Sequence, residues 1–151
     1  MILSIAKLAI AGELLRGWGA IPYGTSDALR ALPDNICSAY RVGTSRTCDE
    51  HIGDTPIHVT YAVQRGDGRF DGVWIDEHGD DVCGKLFDHL QRIWGSGRGW
   101  KPTYKGDGYT ISYWMWMETD RGSGTLVSWS MDHRPLASDS NCHVMASHTF
   151  M

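Results

Sequence analysis

Proline is scarce in this chain, at five residues in 151, and phenylalanine is scarcer, at three. No apolar run approaches the roughly 18 residues of a membrane-spanning helix, so no membrane partner is expected. No Cys-x-x-Cys pair occurs, which removes the common structural-zinc spacings. A Gly-x-Ser-x-Gly nucleophile elbow is also missing, and Gly95-Ser96-Gly97-Arg98-Gly99 lacks the Lys-Ser/Thr ending of a phosphate loop. Without a biased tract or short period, the chain is not a collagen, a coiled coil or a low-complexity tail. Strong net charge is absent too: 14 Lys plus Arg against 18 Asp plus Glu give −4, with a pI near 5.9. The densest basic stretch, Arg92, Arg98, Lys101 and Lys105, is diluted by glycines and stands close to Asp107. Nucleic acid is therefore not expected as a partner, because such binders need a basic stripe to neutralise phosphates.

What the chain has in excess is tryptophan, at seven residues, and glycine, at 18. That glycine content is about 12%, against a usual share of about 7%. Ordinary hydrophobic content and a length of 151 residues suit one globular domain spanning 1–151. The apolar start, Met1 to Gly12, has no basic n-region, and Lys7 interrupts it, so the expected location is cytoplasmic. Cys83 and Cys142 read as buried free thiols. Cys37 and Cys48 bracket a short segment and would close a disulfide only in an oxidising compartment, a point the sequence leaves open.

Hydrophobic spacing predicts a helix over 4–16 and a short second helix from Thr25 or Ser26 through Leu32, stopped by Pro33. Ile36 to Val42 is a candidate strand, followed by a polar loop over 44–55. Ile57, Val59, Tyr61 and Val63 then alternate with polar residues, as a strand with one inward face requires. Gly66-Asp67-Gly68 turns the chain into a partner strand over 70–76. Val82, Leu86, Phe87, Leu90, Ile93 and Trp94 recur at helical spacing, and Gly95 ends that helix. The glycine-rich 95–108 reads as a loop. Strands are expected over 109–118, 125–131 and 142–150. The expectation is an α+β domain: an antiparallel sheet of about five or six strands, with two N-terminal helices and the central helix 82–94 packed against it.

One motif carries enzymatic chemistry. His58-Val59-Thr60 on a strand places an imidazole and a hydroxyl on one face, able to reach one phosphate. This segment resembles one of the paired His-x-Thr strands of two-histidine phosphoesterases. That resemblance implies a histidine partner in the second half of the chain, for which His143 is the candidate. Met145 stands where the second hydroxyl residue would be, and a thioether cannot donate to a phosphate oxygen. Cys37 or Cys48 with His51 is a weaker nucleophile–base pairing. Asp67 to Gly72 imitates a calcium loop, but Arg69 takes a ligand position; Asp76, Glu77, His78, Asp80 and Asp81 suit a helix N-terminus. No metal and no cofactor are expected.

The other signal is aromatic. Trp114 and Trp116 share one strand face, while Tyr109, Ile111, Tyr113, Met115 and Met117 take the other. Either the strand is covered twice, or an aromatic face is open for recognition, extended by Trp94 and Trp100. The leading functional expectation is a small non-catalytic interaction protein that blocks or sequesters a macromolecule, of the bacterial immunity or phage defence-inhibitor type, with another protein as partner. The alternative is a small phosphoesterase-like hydrolase using His58, Thr60 and His143. A small-molecule pocket lined by Trp and Tyr is the third option.

Overall fold

The computed structural model describes residues 13–25, 27–65, 68–104, 109–134 and 139–150. The chain opens with α1 (Glu13–Arg16) and a minimal hairpin, β1 (Gly17–Trp18) and β2 (Ile21–Pro22). Then come β3 (Arg46–Ile52), β4 (Thr55–Ala62), β5 (Gly72–His78), α2 (Asp80–Trp94), β6 (Arg98–Tyr104), β7 (Thr110–Asp120), β8 (Ser123–Arg134) and β9 (Asp139–Thr149). Seven of the strands form one antiparallel sheet in the order β3-β4-β5-β9-β8-β7-β6.

The expected five or six strands with three helices is therefore corrected to a mostly β protein: a seven-stranded sheet, a two-stranded sheet and two short helices among the described residues. Of the helix expected over 4–16, the described part, 13–16, is helical; the rest lies outside the described residues. The segment expected as a second helix forms turns. The candidate strand 36–42 contributes a single bridge, Cys37 opposite Cys48. Two stretches taken for loops are strands at the sheet edges. In β3 the inward positions are Arg46, Cys48, Glu50 and Ile52, so two polar side chains hide the alternation. In β6 the register shifts between Trp100 and Thr103, a stretch that includes Pro102, and an edge strand tolerates such a bulge and a missing N–H.

The 57–63 alternation does form β4, whose odd positions Ile57, Val59 and Tyr61 are buried. Its pairing with β5 realises the expected hairpin. The central helix begins at Asp80, with Asp80 and Asp81 in its first turn, where acids suit the helix dipole. Its buried stripe, Cys83, Leu86 and Leu90, lies on the sheet face that carries Val59, Val73, Ile75, Val127 and Val144.

All four cysteines are paired, Cys37 with Cys48 and Cys83 with Cys142. The reading of Cys83 and Cys142 as free thiols is overturned. Both point into the layer between α2 and β9, with Cα atoms 5.7 Å apart, within bridging distance. Closing a loop with a sequence separation of 59 stabilises the fold by about 4 kcal/mol on chain-entropy grounds.

Between Thr25 and Ser45 the chain has almost no regular structure, and Arg46 anchors it. The side chain is wholly buried. Its Nε donates to Ser38 O at 2.7 Å, and Nη1 to Leu29 O at 2.8 Å and Leu32 O at 2.9 Å. Nη2 donates to Asp34 Oδ1 at 2.8 Å. One planar fork thus satisfies three carbonyls and a carboxylate from a segment with few partners of its own. Arg46→Ala is expected to cost about 3 kcal/mol or more, because those acceptors lose their donors together. Arg46→Lys should recover less than half of that, since one ammonium cannot span four acceptors. Urea denaturation measures both, and a loss below about 1 kcal/mol for the alanine variant would contradict this anchoring role.

Candidate functional site

Because α2 occupies one face of the sheet, strand alternation sends every second side chain to the other. Cross-strand registers arrange those outward residues in rows. Thr47, Thr60, Trp74, Met145, Ser128 and Met115 are successive partners across six strands. Ser147 pairs with Leu126, and Leu126 with Met117, in the adjoining row. On the other side, Asp76, His143, Ser130 and Tyr113 line up, with Asp49 opposite His58 nearer the edge. Large apolar side chains stay in solvent here: Trp74 is 38% exposed, Tyr113 45%, Met145 52% and Met117 68%. Leu126 joins them.

The histidines singled out by the sequence lie on this face, and so does Thr60. Pairing of β4 with β5 ends at Thr60 and Trp74. Beyond it, the His58 backbone N–H donates to Glu77 Oε1 at 2.6 Å. The His58 ring is bracketed by Glu77, 3.2 Å from Nδ1, and by Asp49, 3.5 Å from Nε2. His143 Nδ1 meets Asp76 Oδ1. The Thr60 hydroxyl is bonded to that of Thr47 at 2.9 Å. His58 and His143 thus sit on one face with β5 between them, each engaged with carboxylates. Among the described residues, no three His, Cys, Asp or Glu side chains group to hold a metal ion. No helix there is long and apolar enough to cross a membrane.

The four tryptophans considered for recognition have different placements. Trp116 is buried and Trp114 half-buried, both facing α2. Trp114 Nε1 donates to Ser96 O at 2.7 Å and Trp116 Nε1 to Gly95 O at 2.9 Å. Phe87 of α2 lies 5.2 Å from the Trp114 ring, edge to face. Gly97 makes this approach workable. Its φ is +58°, and a Cβ there would come within 2.7 Å of both indole nitrogens. Trp94 ends α2, 5.9 Å from Trp116. The Trp100 side chain lies outside the described residues. The face of β7 turned away from α2 is therefore the one bearing Tyr113, Met115 and Met117, and the Trp114 and Trp116 side is the one that α2 covers. Both sides of that strand are bulky, so only the position of α2 distinguishes them.

Comparison with family models, with curated proteins and with solved structures finds no match.

One titratable group inside the core sets a pH limit on the scaffold. His148 on β9 is buried, stacked on Tyr23 with ring centroids 4.7 Å apart, and its Nδ1 bonds the Thr125 hydroxyl at 2.6 Å. Burial, and then the Arg65 charge, push its pKa below the usual histidine value, while Asp71 opposes them. His89 is also lowered, by burial and by Arg92. Since the unfolded chain takes up these protons more readily than the folded one, stability is full above about pH 6.5 and falls as the pH drops below it. Urea midpoints at pH 7 and pH 5 should show the decline. His148→Gln should lessen it, leaving the share due to His89, and an unchanged slope would remove His148 as a cause.

Proposed function

We propose that this chain is a non-catalytic interaction protein that binds and blocks, or sequesters, another protein through the outer face of its sheet. The carrying observation is the exposed group Trp74, Met145, Met117, Tyr113 and Leu126, brought together from four strands with the half-buried Met115 among them. Trp, Tyr and Met are the side chains enriched at interface cores. Carboxylates of Asp49, Asp76 and Asp132 flank the apolar rows, and the chain carries −4 overall. The complementary partner is a protein with an apolar knob ringed by Lys and Arg. Blocking by surface complementarity, in the manner of immunity proteins and defence inhibitors, asks for nothing further from the site. Two disulfides joining all four cysteines favour a compartment that keeps thiols oxidised over the cytoplasm expected from the sequence.

The phosphoesterase reading ranks second. A phosphate settling between His58 and His143 would meet Asp49, Asp76 and Glu77, whose charges oppose it.

The test compares capture of a partner from the native source by the wild-type chain and by Trp74→Asp, Met145→Asp and Val42→Asp. Val42 is exposed outside the main sheet, so it controls for added charge. The face variants should lose the partner at least tenfold at unchanged melting temperature, while Val42→Asp retains it. Capture should also weaken as salt rises. Equal retention by all variants removes this face from the function. A wild-type dimer in solution that Trp74→Asp dissociates would assign the face to self-association instead.

A further inference from the structure

On the opposite side of the sheet, a cavity of about 430 Å³ opens between the end of α2, the β1–β2 hairpin, β3 and the segment that Arg46 and the Cys37–Cys48 bridge hold in place. Its volume is in the range of pockets that enclose small organic molecules. We propose that it binds an organic ammonium ion: a primary or alkylated amine carried on a compact apolar or aromatic body.

The argument starts from Glu50. This inward residue of β3 lines the cavity, and its Oε2 accepts a hydrogen bond from the Tyr61 hydroxyl. Among the described residues no Lys or Arg pairs with it. Burial, and then the hydrogen bond and charge of Glu50, raise the Tyr61 pKa, so the phenol keeps its proton and remains a donor. The Tyr61 hydroxyl spends its one proton on Glu50 and leaves the carboxylate's charge uncompensated.

His89 also lines the cavity. Its lowered pKa keeps the ring neutral at neutral pH, so it supplies no countercharge. Glu50 is the only acidic side chain in the lining among the described residues, against walls of Ile21, Leu32, Ile36 and Ile93. Trp18 and Trp94 complete it, with centroids 5.1 Å apart in an edge-to-face pair. Indole faces attract cations more strongly than any other side-chain ring. A carboxylate with spare acceptor capacity among aromatic rings selects a cation with an apolar body. An anion would be repelled by Glu50, and a metal ion would find a single carboxylate where it needs several ligands.

Calorimetric titration of the oxidised 151-residue chain with phenethylamine, its trimethylammonium analogue, 2-phenylethanol and glucose tests this. Both cations should bind at least about tenfold tighter than 2-phenylethanol, the effect of one charge-assisted contact. Glu50→Gln keeps an acceptor for Tyr61 and should bring the cation and alcohol affinities together. Trp18→Ala should weaken cation and alcohol alike without removing the preference. The proposal is overturned by equal wild-type affinities, by a cation preference that survives in Glu50→Gln, by glucose binding tightest, or by no saturable binding up to about 10 mM. Far-ultraviolet circular dichroism of each variant confirms that the fold is retained.

Discussion

The buried Arg46 guanidinium is the interaction on which the longest irregular stretch among the described residues depends. The stretch between the β1–β2 hairpin and β3 cannot hold itself by backbone ladders, since it makes one bridge to the sheet, at Cys37. Its carbonyls converge instead on a charge that has no other outlet. Burying a guanidinium is costly unless its nitrogens are hydrogen-bonded, and each of the three Arg46 nitrogens donates, in four bonds. Two residues along β3, Cys48 makes the covalent tether to Cys37. Electrostatic and covalent anchors thus leave from neighbouring inward positions of one edge strand. Together they turn a loop into a wall of the cavity.

A second constraint is the mismatch between the helix and the sheet. A helix of 15 residues is about 22 Å long, whereas seven strands about 4.8 Å apart span roughly 29 Å. It can cover one face incompletely and the other not at all. The covered face therefore recruits α1, the β1–β2 hairpin and the Arg46-anchored segment to finish its roof. The cavity lies at the junction of these pieces, where different backbones meet without a continuous side-chain stripe. The outer face has no such roof among the described residues, and its alternating residues remain in solvent. A single asymmetry thus produces both a lined hollow and an open apolar surface.

How much of this was legible in the sequence depended on whether polarity followed geometry. In β4 it did, since Ile57, Val59 and Tyr61 are inward and apolar. In α2 it did as well, from Val82 to Trp94. In β3 it did not, because Arg46 and Glu50 are the inward residues, and a period-two pattern carried by an arginine and a glutamate reads as a polar loop. The glycines of 95–99 suggested flexibility, yet Gly97 serves close approach, making room for the indoles of Trp114 and Trp116. Cys83 and Cys142 looked like ordinary small hydrophobes because their neighbours are apolar. Their pairing depends on α2 lying against β9, which no local pattern encodes. Alternation alone put His58 and Thr60 on one face, but that His143 shares it, and that the surrounding carboxylates come from β3 and β5, required the register.

The two proposed sites are physically separable, and the reason lies in β3 and β4. Along β3, Asp49 faces outward beside His58, while Cys48 and Glu50 face inward toward the cavity. Along β4, His58 and Thr60 face outward, while Tyr61 faces inward to meet Glu50. Adjacent residues on the same strands therefore serve opposite surfaces, divided by one layer of backbone that the β3–β4 ladder holds through seven consecutive residue pairs. A ligand on the outer face therefore touches different side chains from a ligand in the cavity, although both sets hang from the same two strands. Coupling of occupancy between the surfaces would instead require the ladder to shift. Its edge is fixed by Arg46 and the Cys37–Cys48 bridge, so the same anchors that build the cavity wall also keep it independent of what binds outside.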